Sequence, residues 1–295
     1  MIRKIVILTD FSENATHAAF YACGLAKNMG APSIVLLHTF NPAALLSPND
    51  MSSLLAPIEA TGVFTNYEWA AEQITILKKE KLEELNRLKA TLLPLLQPDL
   101  EIQCIVETGS LNDVVNQMND VEKIDLVVMG IKGRSGLEKM LIGSNAIKAI
   151  EHLRCPLLIV PLLARLEPPQ TILLASDLRN LNPLAQSQLD TILESVATKL
   201  IVLNIIPEDA DIGSIKKKLA PFQQLFIRYT PEFHFKTNER DELEMAIHNF
   251  AIEHQASLII SLHHTRNFFQ SLFQKSVTRE LAWHSTLPLL SIVMR

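Results

Sequence analysis

The chain is poor in the residues that mark several whole classes of protein. It has only 3 cysteines among 295 residues. Cys23, Cys104 and Cys155 are scattered, and none forms a C-x-x-C pair. So odd and sparse a set excludes a disulfide-stapled scaffold and fits structural thiols in a reducing compartment, so a cytoplasmic location is expected. No stretch approaches the roughly 18 consecutive apolar residues of a membrane span. Behind the basic Arg3 and Lys4, the apolar run Ile5-Val6-Ile7-Leu8 stops at Thr9-Asp10. That is too short for a signal-peptide core and reads as a buried strand. A basic surplus is also missing: 27 Lys and Arg stand against 32 Asp and Glu, for a net charge of -5. Binding to nucleic acid through phosphate neutralisation is therefore excluded. Glycine is scarce as well, with 9 in the whole chain, yet Gly130, Gly133, Gly136 and Gly143 crowd one short window.

What is present is ordinary globular material, 48% hydrophobic and 20% charged. At about 150 residues per domain, two domains are expected. The chain also repeats itself, which changes the expected architecture. Lys4-Ile5-Val6-Ile7-Leu8-Thr9-Asp10 is echoed by Thr171-Ile172-Leu173-Leu174-Ala175-Ser176-Asp177, each an apolar run ending in a hydroxyl residue and Asp. Cys155-Pro156-Leu157-Leu158-Ile159-Val160 is likewise echoed by Leu287-Pro288-Leu289-Leu290-Ser291-Ile292-Val293. The early landmarks (10 to 177) lie farther apart than the later ones (156 to 288), so the first half carries extra residues in its middle.

Apolar runs at 4–9, 33–39, 101–106, 124–129 and 157–161 show no strict alternation, as expected of strands buried on both faces of a parallel sheet. Between the first two, Ala18, Ala22, Leu25, Ala26 and Met29 make one helical stripe, and Gly30 stands where a helix stops. In the second half Asn182-Pro183 supplies a cap and a first-turn proline, ahead of a stripe of Leu189, Ile192, Leu193 and Val196. Strand–helix alternation predicts an α/β fold of two tandem open parallel-sheet, Rossmann-like domains, 1–165 and 170–295, joined through Glu167-Pro168-Pro169. Residues 42–65 read as an irregular excursion. A charged helix near 68–92 follows, with Lys78, Lys79, Glu80, Lys81, Glu83 and Glu84 on a solvated face. The last strands of the two halves follow proline and would be bare edges unless paired.

One motif carries chemistry. The strand Ile124–Met129 runs into Gly130-Ile131-Lys132-Gly133-Arg134-Ser135-Gly136, and Gly143-Ser144-Asn145 then opens a helix. In this G-x2-G-x9-G-S pattern, glycines let backbone approach a ligand closely. Amides at a helix start point toward an anion, reinforced by the helix dipole. Ser144 adds a hydroxyl, while Lys132 and Arg134 supply counter-charge. Thr9 and Asp10, Thr39, and Met129 and Gly130 all sit at strand ends, where ligands bind in an open parallel sheet. The pattern is neither a Walker-type phosphate loop nor G-x-G-x-x-G.

These residues, with Leu37-His38-Thr39 and the Cys155–Val160 run, resemble the universal stress protein family, in a tandem arrangement. The resemblance implies ATP or another adenine nucleotide, with magnesium, as ligand. Gly130, Gly133, Gly143 and Ser144 would wrap the phosphates, Asp10 would reach the ribose and Thr39, where the family commonly has Val, would touch adenine. It also implies association of the halves as a pseudo-dimer, with a homodimer of chains as a further option.

In the second half Gly130 becomes Leu262, Gly133 becomes Thr265 and Gly143 becomes Lys275, so a degenerate loop without nucleotide is expected. His263, His264 and His284 do not have metal-ligand spacing. His38 and His152 are expected in the core. No catalytic set is recognisable, which favours a nucleotide-binding stress sensor or regulator with an unknown protein partner over an ATP-hydrolysing or adenylating enzyme. A scaffold with an empty loop is the other alternative.

Overall fold

A computed structural model describes residues 2–31, 33–42, 63–131, 144–176, 178, 181–196, 199–207, 212–238, 243–263 and 287–293. Ten strands form one sheet in the order β3-β2-β1-β4-β5-β10-β9-β6-β7-β8. The first half contributes β1 (Lys4–Leu8), β2 (Ser33–Phe40), β3 (Glu101–Thr108), β4 (Leu126–Ile131) and β5 (Leu157–Pro161). The second contributes β6 (Thr171–Ala175), β7 (Lys199–Pro207), β8 (Glu232–Asn238), β9 (Leu258–His263) and β10 (Leu289–Val293). Within each half all neighbours are parallel. The junction alone is antiparallel: Leu289 faces Ile159, Leu290 faces Leu158 and Ser291 faces Leu157. The two edges expected to be bare thus satisfy each other.

Helices α1 (Glu13–Met29), α2 (Val63–Leu92), α3 (Leu111–Val121), α4 (Ser144–His152), α5 (Pro183–Ser195), α6 (Ile212–Leu225) and α7 (Leu243–Glu253) cover the sheet. Alternate residues of β1 enter opposite layers, as the pleat requires. Ile5 and Ile7 pack in the layer with α1, α2, α5 and α6, while Val6 and Leu8 pack in the layer with α3, α4 and α7. Each layer runs without a break through both halves.

Local signals act as the residue chemistry demands. Ser12 caps α1, its hydroxyl accepting from the Ala15 amide, and Gly30 closes it at φ 61°. The predicted α1 stripe is buried throughout. Asn182 caps α5 with Pro183 in the first turn, and Leu189, Ile192, Leu193 and Val196 are buried. The second-strand run extends to Phe40 and β4 occupies 126–131, so Thr39 and Gly130 lie within strands rather than just at or after their ends. Pairing of Thr39 with Glu107 and of Gly130 with Val160 carries the ladders that far.

The helix placed near 68–92 begins at Val63, so the end of the excursion is helical, and the rest of it lies outside the described residues apart from Pro42. Its charged face is not simply solvated. Lys78 is half-buried and 3.3 Å from Glu107 on β3, and Lys81 pairs with Glu84 at 2.9 Å. Leu85, Leu88 and Leu92 are buried beneath. His152, expected in the core, is exposed in the last turn of α4. Its backbone carbonyl accepts from the Asn116 side-chain amide of α3. Cys23 and Cys155 are buried and none of the three thiols is in a disulfide; burial pushes Cys23 up to about 12. Among the described residues no helix is long and apolar enough to cross a membrane.

Because both layers and the sheet cross the junction, the halves are expected to unfold together. Circular dichroism and tryptophan fluorescence in urea should report one coincident transition, and Leu158→Ala should shift it by about 2–4 kcal/mol. Two separated transitions would contradict the shared core.

Candidate functional site

In each half the strand order reverses direction between the first strand and its fourth-strand neighbour, β1 beside β4 and β6 beside β9. The crevice outside the carboxyl ends of such strands is where open parallel sheets bind ligands. In the first half, Leu8 is level with Leu37 and with Met129, so Thr9-Asp10, His38-Thr39 and Gly130 meet there. A parallel β4–α4–β5 crossover obliges α4 to begin at this end, which puts the backbone of Ser144 and Asn145 at the same rim. Lys132, Gly133, Arg134 and Gly143 lie outside the described residues.

The first strand ends in a tight elbow. Thr9 Oγ1 accepts from the Phe11 amide at 3.0 Å, and Asp10 Oδ1 accepts from the Ser12 amide at 3.0 Å. These Asx- and Ser/Thr-type turns hold Phe11 at φ 64°, a left-handed conformation uncommon for a bulky residue. From β2, His38 Nδ1 donates to the Thr9 carbonyl at 2.8 Å, and its buried ring lies 4.7 Å from that of Phe11. The Lys81 ammonium stands 5.1 Å over the Phe11 ring. Asp10 itself is exposed, with its second oxygen given no partner among the described residues. His38 is therefore a latch for the elbow as well as the core residue expected, a role visible only once its acceptor 29 positions away is known.

The second half builds the same device. Ser176 Oγ accepts from the Leu178 amide at 3.1 Å, Leu178 sits at φ 57°, and Asn204 Nδ2 donates to the Ser176 carbonyl at 2.8 Å. Asn replaces His with the same bond length. The elbow is thus a property of the fold, shared by a half with the glycine motif and a half without it.

Gly130 requires a correction. It was expected to leave room for ligand, but the room is already filled. A Cβ added there would stand 2.2 Å from the Asn14 carbonyl oxygen and 2.8 Å from the Ala15 nitrogen. The first turn of α1 lies directly on the strand, and only glycine permits that approach. Where Leu262 takes this position, buried in β9, the helix after the elbow starts later: Pro183 comes five positions after Leu178, whereas Glu13 comes two after Phe11. Among the described residues no group of three or more His, Cys, Asp or Glu side chains gathers as a metal site; His264 and His284 lie outside them.

Comparison with known proteins now adds the family. The profile of the universal stress protein family matches residues 1–161. The chain belongs to the universal stress protein family. Two relatives from Methanocaldococcus jannaschii and Bacillus subtilis illustrate the match. Universal stress protein MJ0531 is 29% identical over 163 residues, 54% of this chain and 82% of the relative. Universal stress protein YxiE is 28% identical over 162 residues, 54% of this chain and 99% of the relative. A universal stress protein structure from Archaeoglobus fulgidus covers 99% of this chain and 98% of its own at TM-score 0.61 and 15% identity, a likeness of fold across both halves.

The packing at Gly130 yields a test that needs no ligand. Gly130→Ala should destabilise the ligand-free protein by about 1–3 kcal/mol, seen as a lower melting temperature, because α1 must shift. His38→Leu should cost a similar amount, whereas His38→Asn, copying the second half, should stay within about 0.5 kcal/mol. An unchanged melting temperature for Gly130→Ala would refute the close helix approach.

Proposed function

We propose that the first half of this family member binds an adenine nucleotide, ATP with magnesium, and that the chain is a tandem universal stress protein acting as a sensor or regulator in the stress response. The domains in this reading span 1–165 and 170–295, the second without nucleotide. The observation that supports it best is the meeting of Asp10, Thr39 and the Gly130 strand end at a topological switch point, in the half whose sequence continues into G-x2-G-x9-G-S. Each part has a chemical task. Asp10, exposed at the elbow, accepts the ribose hydroxyls. Thr39 lies against the base. The amides from Gly133 to Asn145, the Ser144 hydroxyl, and the charges of Lys132 and Arg134 take the phosphates.

Gly130 contributes differently from Gly133 and Gly143 in this scheme. By letting α1 lie on β4 it sets the floor of the crevice, while the later glycines free the backbone for phosphate. Binding rather than turnover is the purpose, since the residues assigned to the crevice include no paired acid and base of the kind general acid–base catalysis needs. The second half, with Leu262, Thr265 and Lys275 in place of the glycines, serves as the partner that completes the sheet.

Protein freed of carried-over ligand should bind ATP in calorimetry, and Gly133→Val should abolish the heat while leaving the circular dichroism spectrum and melting temperature of the free protein unchanged. No heat with ATP, ADP or AMP on well-folded protein would overturn the reading.

A further inference from the structure

The repeat allows the two halves to be compared atom by atom at the opposite ends of their strands. In the first half the amino ends of β1 and β4 are closed by charge. Asp125 Oδ2 accepts from the amides of Arg3 and Lys4 at 2.7 and 3.2 Å, Lys123 pairs with Asp125 at 3.3 Å, and Lys4 pairs with Glu122. In the second half Ser257 does the bracketing, its hydroxyl accepting from the amides of Gln170 and Thr171 at 2.8 and 3.1 Å. The backbone registers agree: Ser257 N donates to Thr171 O as Asp125 N does to Lys4 O. Four charged side chains have therefore become the neutral Thr171, Gln255 and Ser257, and His254, which turns away to stack on Phe250 at 4.0 Å.

A cavity of about 550 Å³ opens in this place. Its charged lining comes from the connector between the halves, Arg165 and Glu167. Both are exposed, and neither has an ion-pair partner among the described residues. Ile252, Leu287 and Pro288 contribute apolar lining and Gln255 polar lining. A guanidinium that takes a carboxylate, a carboxylate that takes an ammonium, and an apolar wall describe one ligand chemistry. The volume falls within the range of small-molecule sites, roughly 300–1,000 Å³.

We infer that this cavity is a second binding site, for a small zwitterion with apolar side chains of the amino-acid or dipeptide class. Arg165 holds the ligand carboxylate, Glu167 holds the ammonium, and Ile252 and Leu287 receive the side chains. The site is independent of the nucleotide crevice, which it does not share a residue with.

Calorimetry on the intact protein with the dipeptide leucyl-leucine, its N-acetyl form and its C-terminal amide tests this directly. Leucyl-leucine should bind at millimolar concentration or below, and each capped form should bind about tenfold more weakly, since each forfeits one charge-assisted contact. Arg165→Ala should weaken leucyl-leucine about tenfold while leaving the N-terminally blocked form's residual binding to fall as well, and Glu167→Gln should act on the ammonium side alone. Both positions are exposed, so the circular dichroism spectrum should not change. Absence of binding at millimolar concentration, capped forms that bind as tightly as leucyl-leucine, or indifference to both substitutions would overturn the proposal. ATP affinity measured in the same variants should stay constant, which separates failure here from failure of the nucleotide site.

Discussion

A half-sheet of five parallel strands ends in a strand whose outer row of amides and carbonyls has no partner. In this chain β5 and β10 are those strands, apolar apart from Ser291, with β5 buried throughout and β10 buried from Leu289 to Ile292. Left open, either would invite indiscriminate pairing. Their antiparallel pairing supplies the missing hydrogen bonds and also brings Leu158, Val160, Leu290 and Ile292 into one apolar layer with α1 and α5. The second half has a physical role in the sheet: without β10, β5 would carry an exposed hydrophobic edge. Leu262 stands in β9 where Gly130 stands in β4, and it pairs with Ile292 of β10 as Gly130 pairs with Val160 of β5, so the ladder tolerates either residue.

Much of this was legible in the residues. Unalternating apolar runs announced doubly buried strands, Ser12, Gly30, Asn182 and Pro183 announced helix ends, and the echo of Thr9-Asp10 in Ser176-Asp177 announced the repeat. These signals are local or periodic, and periodicity survives in one dimension. The features that escaped are contacts between residues far apart in sequence. Gly130 reads as a ligand glycine because its real neighbour, the backbone of Asn14 and Ala15, comes from an element more than a hundred residues earlier. His38 reads as simple core because its bond runs to a carbonyl, a group every residue has. Lys78 and Lys81 read as solvated because nothing in α2 reveals that Glu107 and Phe11 wait at the strand ends.

The site was legible in outline for the same reason. Its residues were found from their places at strand ends, which follow from the alternation of elements. What each does there depends on packing. One glycine of the motif proves to be a spacer between helix and strand, and the elbow proves to be built from turn hydrogen bonds that the second half repeats with Ser176 and Asn204. A feature shared by both halves belongs to the architecture, and a feature confined to the first half is where selection for a ligand must be sought.

The reversed strand direction at β5 and β10 has a geometric outcome. The carboxyl ends of the first five strands and the amino ends of the last five emerge along one border of the sheet, so the crevice at Asp10 and the hollow beside Arg165 open the same way. Three strand spacings, about 15 Å, separate β4 from β9. The connector runs along that border too, its Ala164 carbonyl accepting from His17 of α1 at 2.9 Å. A protein docking on this border meets both openings and the strap between them at once, whereas one docking on the far border meets the elbow at Ser176 and the charged bracket at Asp125.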